Sequence, residues 1–413
     1  MRLIPRTFVL LVLLVGALHC PALAADRLSL EAALAEALTQ HPLLAVASAR
    51  VVSLEGKRQQ AGLRPNPLLV YQTEDFRAWS NPGHRFWQDA DHFLYLQQTF
   101  ETAAKRARRT ELALAQQRRG EIELLQQKQS IAARVRAAYW DAAGARARQQ
   151  MLEQSLRELA LIVTYHRDQV REGAMAEADL LRVELEQQRL SLLARQAEAD
   201  GERQSIRLQR EMGRAEIGAI ELANPLEEVA KTVDPAEFAQ VWERRAEAQL
   251  ARQLVVLAGA QMALETALAQ PNFDGVAGYK RSRNFDTVIW GVQAPLPLFN
   301  RNQGNIASAG AEQRLAQSAE SATQALLRAE FRAAEQELSV RRRHLETFAR
   351  PLQERAQSLA DLAQQAYRLG GADLLRLLDA QRNLLDARQV YLDSLLALRQ
   401  AEAAREAVLG VLP

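Results

Sequence analysis

The sequence predicts a mainly α chain with a small β part, built from two copies of one unit that ends in a long helical hairpin. Three observations predict it. Pro82 and Pro225 bracket 142 residues without a proline, and Pro351 is the only proline between Pro297 and Pro413. Apolar patterning runs through these stretches far beyond the length of an ordinary helix, in the range of coiled coils and helical arrays. The order of elements then occurs twice, as expected when one unit is copied into a pseudo-symmetric object. Such a chain points to a mechanical or conductive role rather than a catalytic one.

Arg2 and Arg6 precede an apolar run from Phe8 to Leu18 and the small-residue triplet Ala22-Leu23-Ala24. That pattern predicts a secretory signal over residues 1–24, too short for a membrane anchor. Cys20 is the only cysteine; it either leaves with this peptide or, with His19 a poor fit before it, serves as a lipidation site. The mature chain would hold no thiol, so neither disulfides nor thiolate metal sites are expected. Removing the signal leaves 50 basic residues against 50 acidic ones, which gives no footprint for nucleic acid. The arginines at 106–109 and 341–343 are interleaved with Glu and Gln and read as solvated helix faces. No later segment approaches 18 consecutive apolar residues, which excludes helical membrane spans but not the alternating strands of a β-barrel.

In the first copy (25–225) the pattern is helical from Ser29 to about Gly62 and stops at Arg64-Pro65-Asn66-Pro67. Leu68 to Asp75 reads as a strand, with Val70 and Gln72 on one face and Tyr71 and Thr73 on the other. Asn81-Pro82-Gly83 marks a loop, His92 to Phe100 a second strand, and helix resumes near Thr102 and runs to about Arg171. Such a helix would be about 105 Å long at 1.5 Å per residue. The second copy (226–413) has helix from near Pro235 to about Ala269. Strands follow at Phe273–Arg281 and Thr287–Ala294 around Arg283-Asn284. Helix then runs from Asn300–Asn305 to about Leu369, with a local kink expected at Pro351.

Thirteen of the 23 aromatic residues fall in the windows 71–100 and 273–299. Tyr71, Trp87, Phe93, Tyr95, Tyr279 and Trp290 suit the interfacial girdle of a membrane barrel, or the aromatic core of a small soluble β domain. Four strands cannot close a barrel alone, so a barrel requires several copies of the chain.

The long helices carry heptad seams. Ile131, Val135, Ala138, Ala142, Ala145, Leu152, Leu156, Leu159 and Val163 follow steps of four and three, with Gln149 the single polar break. Leu327, Phe331, Ala334, Leu338, Leu345, Phe348, Leu352 and Leu359 do the same, interrupted by Arg341 and Arg355. This period specifies knobs-into-holes packing. Each long helix should reverse at a glycine, Gly173 or Gly370. Ala178 to Arg182 and Ala372 to Arg376 both read Ala-Asp-Leu-Leu-Arg at an offset of 194, against 197 for the glycines, so the first turn should be three residues longer.

Three motifs carry a likeness to a known family: Ala61-Gly62-Leu63-Arg64-Pro65-Asn66-Pro67, Pro295-Leu296-Pro297-Leu298-Phe299-Asn300-Arg301-Asn302-Gln303-Gly304, and Leu377-Leu378-Asp379-Ala380-Gln381-Arg382. In their order and duplication, the chain resembles TolC-type outer-membrane efflux channels, nearest the heavy-metal-efflux (CzcC-like) branch. The resemblance covers essentially the whole mature chain. It implies a homotrimer in the outer membrane of a Gram-negative bacterium, with a twelve-stranded barrel, four strands from each chain, set in lipid above an α-barrel that spans the periplasm. It further implies a periplasmic adaptor and an inner-membrane RND pump as partners, with the pump supplying the energy. Gly173, Gly370 and Gly371 would lie where adaptor hairpins touch.

The same resemblance implies a gate. Family members hold an acidic residue six positions after the first tip glycine to a tyrosine three before the second, places taken here by Asp179 and Tyr367. Aspartates six and nine positions after the second glycine often ring the pore. Arg376 and Asp379 stand there, with Asp373 one turn away, so a purely anionic constriction does not carry over. The same residues also suit solvated tip charges.

Two other function classes compete with the channel. A periplasmic coiled-coil scaffold or adaptor without a pore would show one hairpin between β-rich halves, not two complete strand–hairpin copies. Catalysis, cofactors and metal sites are not expected. The six histidines are scattered without ligand spacing, His166 and His344 read as isolated solvated residues, and no Ser/His/Asp set or phosphate loop stands out.

Overall fold

The structure, a computed structural model, describes residues 26–77, 79–227, 244–283 and 285–412. The expected signal with Cys20, the start of the second copy at Pro235 and Asn284 of the hairpin turn lie outside the described residues.

A short strand β1 (Asp26–Leu28) leads into α1 (Leu30–Gln40), where Ser29 is the N-cap and its Oγ accepts the Ala32 N–H at 3.1 Å. The single helix expected to Gly62 is broken at His41, because a residue before proline is barred from helical geometry. His41 is extended (φ −62°, ψ 125°), and Pro42 starts α2 (Pro42–Ala61) at a position where its missing N–H costs nothing. Burial, and then the charge of Arg134, push the His41 imidazole below its usual range, which suits Nδ1 as acceptor for the Leu43 N–H.

Strand β2 (Leu68–Glu74), a one-turn helix α3 (Phe86–Asp89) and β3 (Asp91–Phe100) follow, close to the expected bounds. The helix α4 (Lys105–Arg171) has 67 residues, about 100 Å at 1.5 Å each. It returns as α5 (Glu177–Met212), after which β4 (Ile220–Leu222) pairs in parallel with β1. The chain then runs through α6 (Ala246–Leu268), β5 (Phe273–Ser282), β6 (Phe285–Gln293) and α7 (Gln303–His344). A π turn (Leu345–Ala349) leads into α8 (Arg350–Arg368) and the return helix α9 (Leu374–Leu409).

The four longer strands form one antiparallel sheet in the order β2-β3-β5-β6, with β2 and β6 as open edges. The register separates two faces. On one lie Leu69, Tyr71, Leu94, Leu96, Tyr279, Val288, Trp290 and Val292, most of them exposed. The other carries Gln72, Asp91, Gln97, Thr99, Asp274, Lys280 and Thr287, so the sheet is apolar on one side and largely polar on the other.

Toward the glycine turns the helices lie side by side as α5–α4–α9–α8, and toward the sheet as α2–α4–α6–α7. The core splits accordingly. A central cluster around Ile131, Val135, Tyr139, Leu208, Met212 and Leu398 anchors the middle, and a second cluster of Leu152, Leu159, Val163, Val183, Leu190 and Leu377 fills the distal half. Tyr139 ties the N-terminal strands to α4, its hydroxyl reaching Leu28 O at 3.0 Å and Asn224 Oδ1 at 2.9 Å.

The first heptad seam is buried as expected, except that Ala145 and Leu156 are half-buried and the polar break Gln149 is itself buried, with Nε2 donating to Glu153. The second seam holds only as far as Leu345. Phe348, Leu352 and Leu359 are exposed (62, 48 and 50%), whereas Ala349, Ala356 and Ala360 are buried. The cause is the π turn, in which the Arg350 N–H reaches back five residues to Leu345 O. One extra residue in that turn moves every later core position by one. Pro351, two residues past the turn, cannot supply the N–H a regular helix needs, and the irregularity beside it is this π turn where a kink was expected.

Arg136 is buried beside Glu406, with Nε 2.8 Å from Oε2 and side chains 4 and 36% exposed. Burial pushes the guanidinium down and the carboxyl up, each opposed by the other's charge. Removing one member of such a pair strands the other, whereas replacing both is tolerated. Arg136→Ala is expected to cost about 2 kcal/mol, less than for a fully enclosed pair because water reaches Glu406. Arg136→Met combined with Glu406→Leu should restore near-parental stability, as read by denaturation in detergent.

Candidate functional site

The distal ends of the two hairpins bring most of the candidate residues together. At the first, Glu172 closes α4, the Gly173 N–H donates to Val170 O (3.0 Å) and the Ala174 N–H to Gln169 O (2.9 Å). At the second, the Gly370 N–H donates to Tyr367 O (3.1 Å) and the Gly371 N–H to Ala366 O (2.8 Å). Both are Schellman turns, and both require a left-handed residue, with φ +74° at Gly173 and +75° at Gly370. Gly371 lacks a positive φ and does not need to be glycine for the backbone. No neighbouring atom would meet a Cβ at Gly173 or Gly370, so the penalty there is conformational alone. Gly173→Ala and Gly370→Ala should each cost about 1 kcal/mol of local stability. Gly371→Ala should cost none, with faster hydrogen exchange confined to the first two variants as the check.

The turns are equal in length, 172–176 and 369–373, against the expectation of a longer first turn. The three extra residues are absorbed as helix, because α5 starts one residue before Ala178 whereas α9 starts two after Ala372. The same Ala-Asp-Leu-Leu-Arg motif therefore does different work. Asp373 is the N-cap of α9 and accepts the Arg376 N–H at 2.9 Å. Asp179 sits inside the first turn of α5 and pairs with Arg182 at 3.3 Å. Arg376 and Asp379 are exposed, and Asp379 adds its charge beside Arg382, which reaches Glu186 of α5 at 2.7 Å.

Within one chain Tyr367 is hydrogen-bonded not to Asp179 but to His166, its hydroxyl 2.8 Å from Nε2. The rings stack at 12° with centroids 5.7 Å apart. His166 is fully buried, its Nδ1 2.8 Å from Ile162 O, so the reading of it as an isolated solvated residue is corrected. Burial, then Tyr165 and Asp179, raise the phenol above its usual range and keep it protonated. The signal for His166 was present in the sequence, since it continues the four–three stepping of its seam beyond Leu159 and Val163. Tyr367 likewise continues the displaced seam of Ala349, Ala356 and Ala360.

Between α4 and α8, over α9, runs a groove of about 490 Å³ whose walls include Glu158, Tyr165, Asp361, Tyr367 and Arg368. Arg388 on its floor reaches Gln357 (3.0 Å) and Glu158 (3.3 Å). At the sheet, Tyr71, Tyr279 and Trp290 share the apolar face, but Phe93 and Tyr95 alternate onto the opposite face. Trp87 is in α3 rather than a strand and stacks on His92 (4.9 Å, 29°). Counting aromatics gathered all six, and strand parity sorts the five that lie in strands. Among the described residues no group of three His, Cys, Asp or Glu is arranged to hold a metal ion, and no helix is long and apolar enough to cross a membrane.

Residues 33–214 and 239–411 match the profile of a family described as "Outer membrane efflux protein". The cobalt-zinc-cadmium resistance protein CzcC of Cupriavidus metallidurans is 27% identical over 394 residues, 94% of this chain and 92% of that protein. The fold is similar to that of the outer membrane protein VceC of Vibrio cholerae (TM-score 0.76, 19% identity, 92% of this chain and 96% of that one). It is also similar to the open state of the MtrE outer membrane channel of Neisseria gonorrhoeae (TM-score 0.77, 17% identity, 92% and 88%).

Proposed function

The chain belongs to the outer membrane efflux protein family, and from that premise we propose that three copies form the exit channel of a tripartite efflux system. The observation that carries this reading is that the same two flanks of the chain are unfinished along their whole length. The sheet has open edges at β2 and β6. Below it, α5 exposes Leu181, Leu185 and Leu192 on one flank, and the π turn with α8 exposes Phe348, Leu352, Leu359 and Leu362 on the other. Both sets are apolar and heptad-spaced, so one flank can pack on the opposite flank of the next copy, head to tail, until the ring closes. Four strands per chain then supply a closed barrel with Tyr71, Tyr279 and Trp290 toward lipid and the polar face toward the pore. A pore-less scaffold leaves the strand edges uncovered and the apolar face in water.

In this reading each chain is two copies of one unit, 25–225 and 226–413. The glycine turns face the periplasm, where an adaptor meets Gly173, Gly370 and Gly371 and an inner-membrane RND pump supplies the energy. Asp179, Tyr367, Asp373, Arg376 and Asp379 surround the closed end, and adaptor binding favours the open one through contacts made only there. The likeness to CzcC supports divalent metal cations as the cargo.

Heat-modifiable trimers in the outer-membrane fraction, conducting ions in planar bilayers, are the expected result. A water-soluble monomer would overturn the channel. A deletion strain should lose cobalt, zinc or cadmium tolerance while keeping drug tolerance, and the opposite pattern would overturn the cargo.

A further inference from the structure

We propose that His166 is a positioning residue of the closed periplasmic end, holding Tyr367 in place from inside the wall. The inference rests on the reading of the glycine-turn end as the gate, and names a residue which that reading does not include. Three features carry it.

The first is placement. His166 lies seven residues before Gly173 and Tyr367 three before Gly370, each at a seam position within the last two turns of its helix. α8 packs along α9 rather than along α4. The Tyr367–His166 hydrogen bond is thus a direct tie between the two hairpins across the end of the groove.

The second is chemistry. Ile162 O only accepts, so His166 Nδ1 must carry a hydrogen toward it. In the neutral ring Nε2 is then the acceptor, and the Tyr367 hydroxyl is its donor. One tautomer fits both partners, and the hydroxyl is left with a single direction.

The third is enclosure. His166 is fully buried, its ring stacked on that of Tyr367, with Tyr165 edge-on at 5.7 Å. Water cannot replace Tyr367 as partner without opening the packing, so the tie lasts as long as the closed arrangement does.

The test is conductance of purified full-length channels in planar bilayers. His166→Leu keeps the volume without an acceptor, and His166→Gln restores an acceptor at similar reach. His166→Leu should raise resting conductance at least about fivefold, the shift expected from losing one buried neutral hydrogen bond in a single copy. Tyr367→Phe should do the same, the two together should do no more than either alone, and His166→Gln should return the channel toward rest. Equal leak from His166→Gln and His166→Leu would mean a packing role only and overturn the proposal. So would a quiet His166→Leu channel when Asp179→Ala/Tyr367→Ala leaks, leaving the gate itself intact. If that double variant and His166→Leu are both quiet, the gate reading fails and this inference with it. Should the leucine chain not assemble, Tyr367→Phe, which keeps the ring, carries the same comparison.

Discussion

Channels carrying Asp179→Ala and Tyr367→Ala together are expected to leak ions across a planar bilayer at least about tenfold faster than the parent. Removing the Tyr367 ring deletes its bond to His166 and leaves a buried imidazole nitrogen without a partner. Such an orphaned polar group costs about 1–3 kcal/mol. Asp179 contributes less. Its pair with Arg182 is solvent-exposed, and its remaining role is as an acidic group in the first turn of α5, where the helix dipole favours it by about 0.5 kcal/mol. The tyrosine therefore dominates, and the aspartate variant alone should leak little. About 1.4 kcal/mol shifts a two-state equilibrium tenfold, and three copies sharing one closed end add their losses. Unchanged conductance would remove Asp179 and Tyr367 from the gate.

The second large effect concerns the π turn. A chain lacking Ser358 should lose both the assembled oligomer and the closed tip, because deleting one residue from a regular helix rotates everything beyond it by about 100°. Ala360 would leave the core and Tyr367 would turn away from His166. A chain lacking Thr347 and carrying Pro351→Ala should tolerate its deletion. Thr347 lies inside the turn that holds the extra residue, so its loss converts that turn to an ordinary one. Ala349, Ala356, Ala360 and Tyr367 then fall on an uninterrupted heptad with Leu338 and Leu345. Heat-modifiable assembly on gels and bilayer conductance separate the two chains. Equal failure of both would show that the turn's shape, and not its register, is what matters.

The contrast shows how much of the fold was legible. Proline spacing and periodicity located the long helices, the four strands and both glycine turns to within a few residues. These features are written in local chemistry, in the donor that proline lacks and the φ that only glycine takes freely. Register was less legible. Phe348, Leu352 and Leu359 have seam spacing and apolar side chains, yet they serve the outer flank, and small alanines take the core. A heptad records that a helix has an apolar stripe without saying whether the partner belongs to the same chain. The break at His41 was hidden because Pro42, as a first helical residue, leaves the pattern on either side intact. At the candidate site, the tip glycines were legible as helix ends, whereas Tyr367 was found through its resemblance to a family pattern. His166 was passed over because histidine is polar, although its position in the stepping marked it as interior. Asp179 and Asp373 share a motif but not a task, since cap or first turn is decided by where each helix begins.

The bare margins of the four-stranded sheet have a consequence for how such an object comes to exist. β6 of one copy is complementary to β2 of the next, and nothing in that contact says when to stop. Identical joints of this sort polymerise without limit unless the angle between neighbours brings the last copy back to the first. The count is therefore set by curvature and not by adhesive strength. An alteration that flattens the joint should yield ribbons rather than weaker rings. A newly exported chain, with both margins unsatisfied, is at its most hazardous before it meets its siblings.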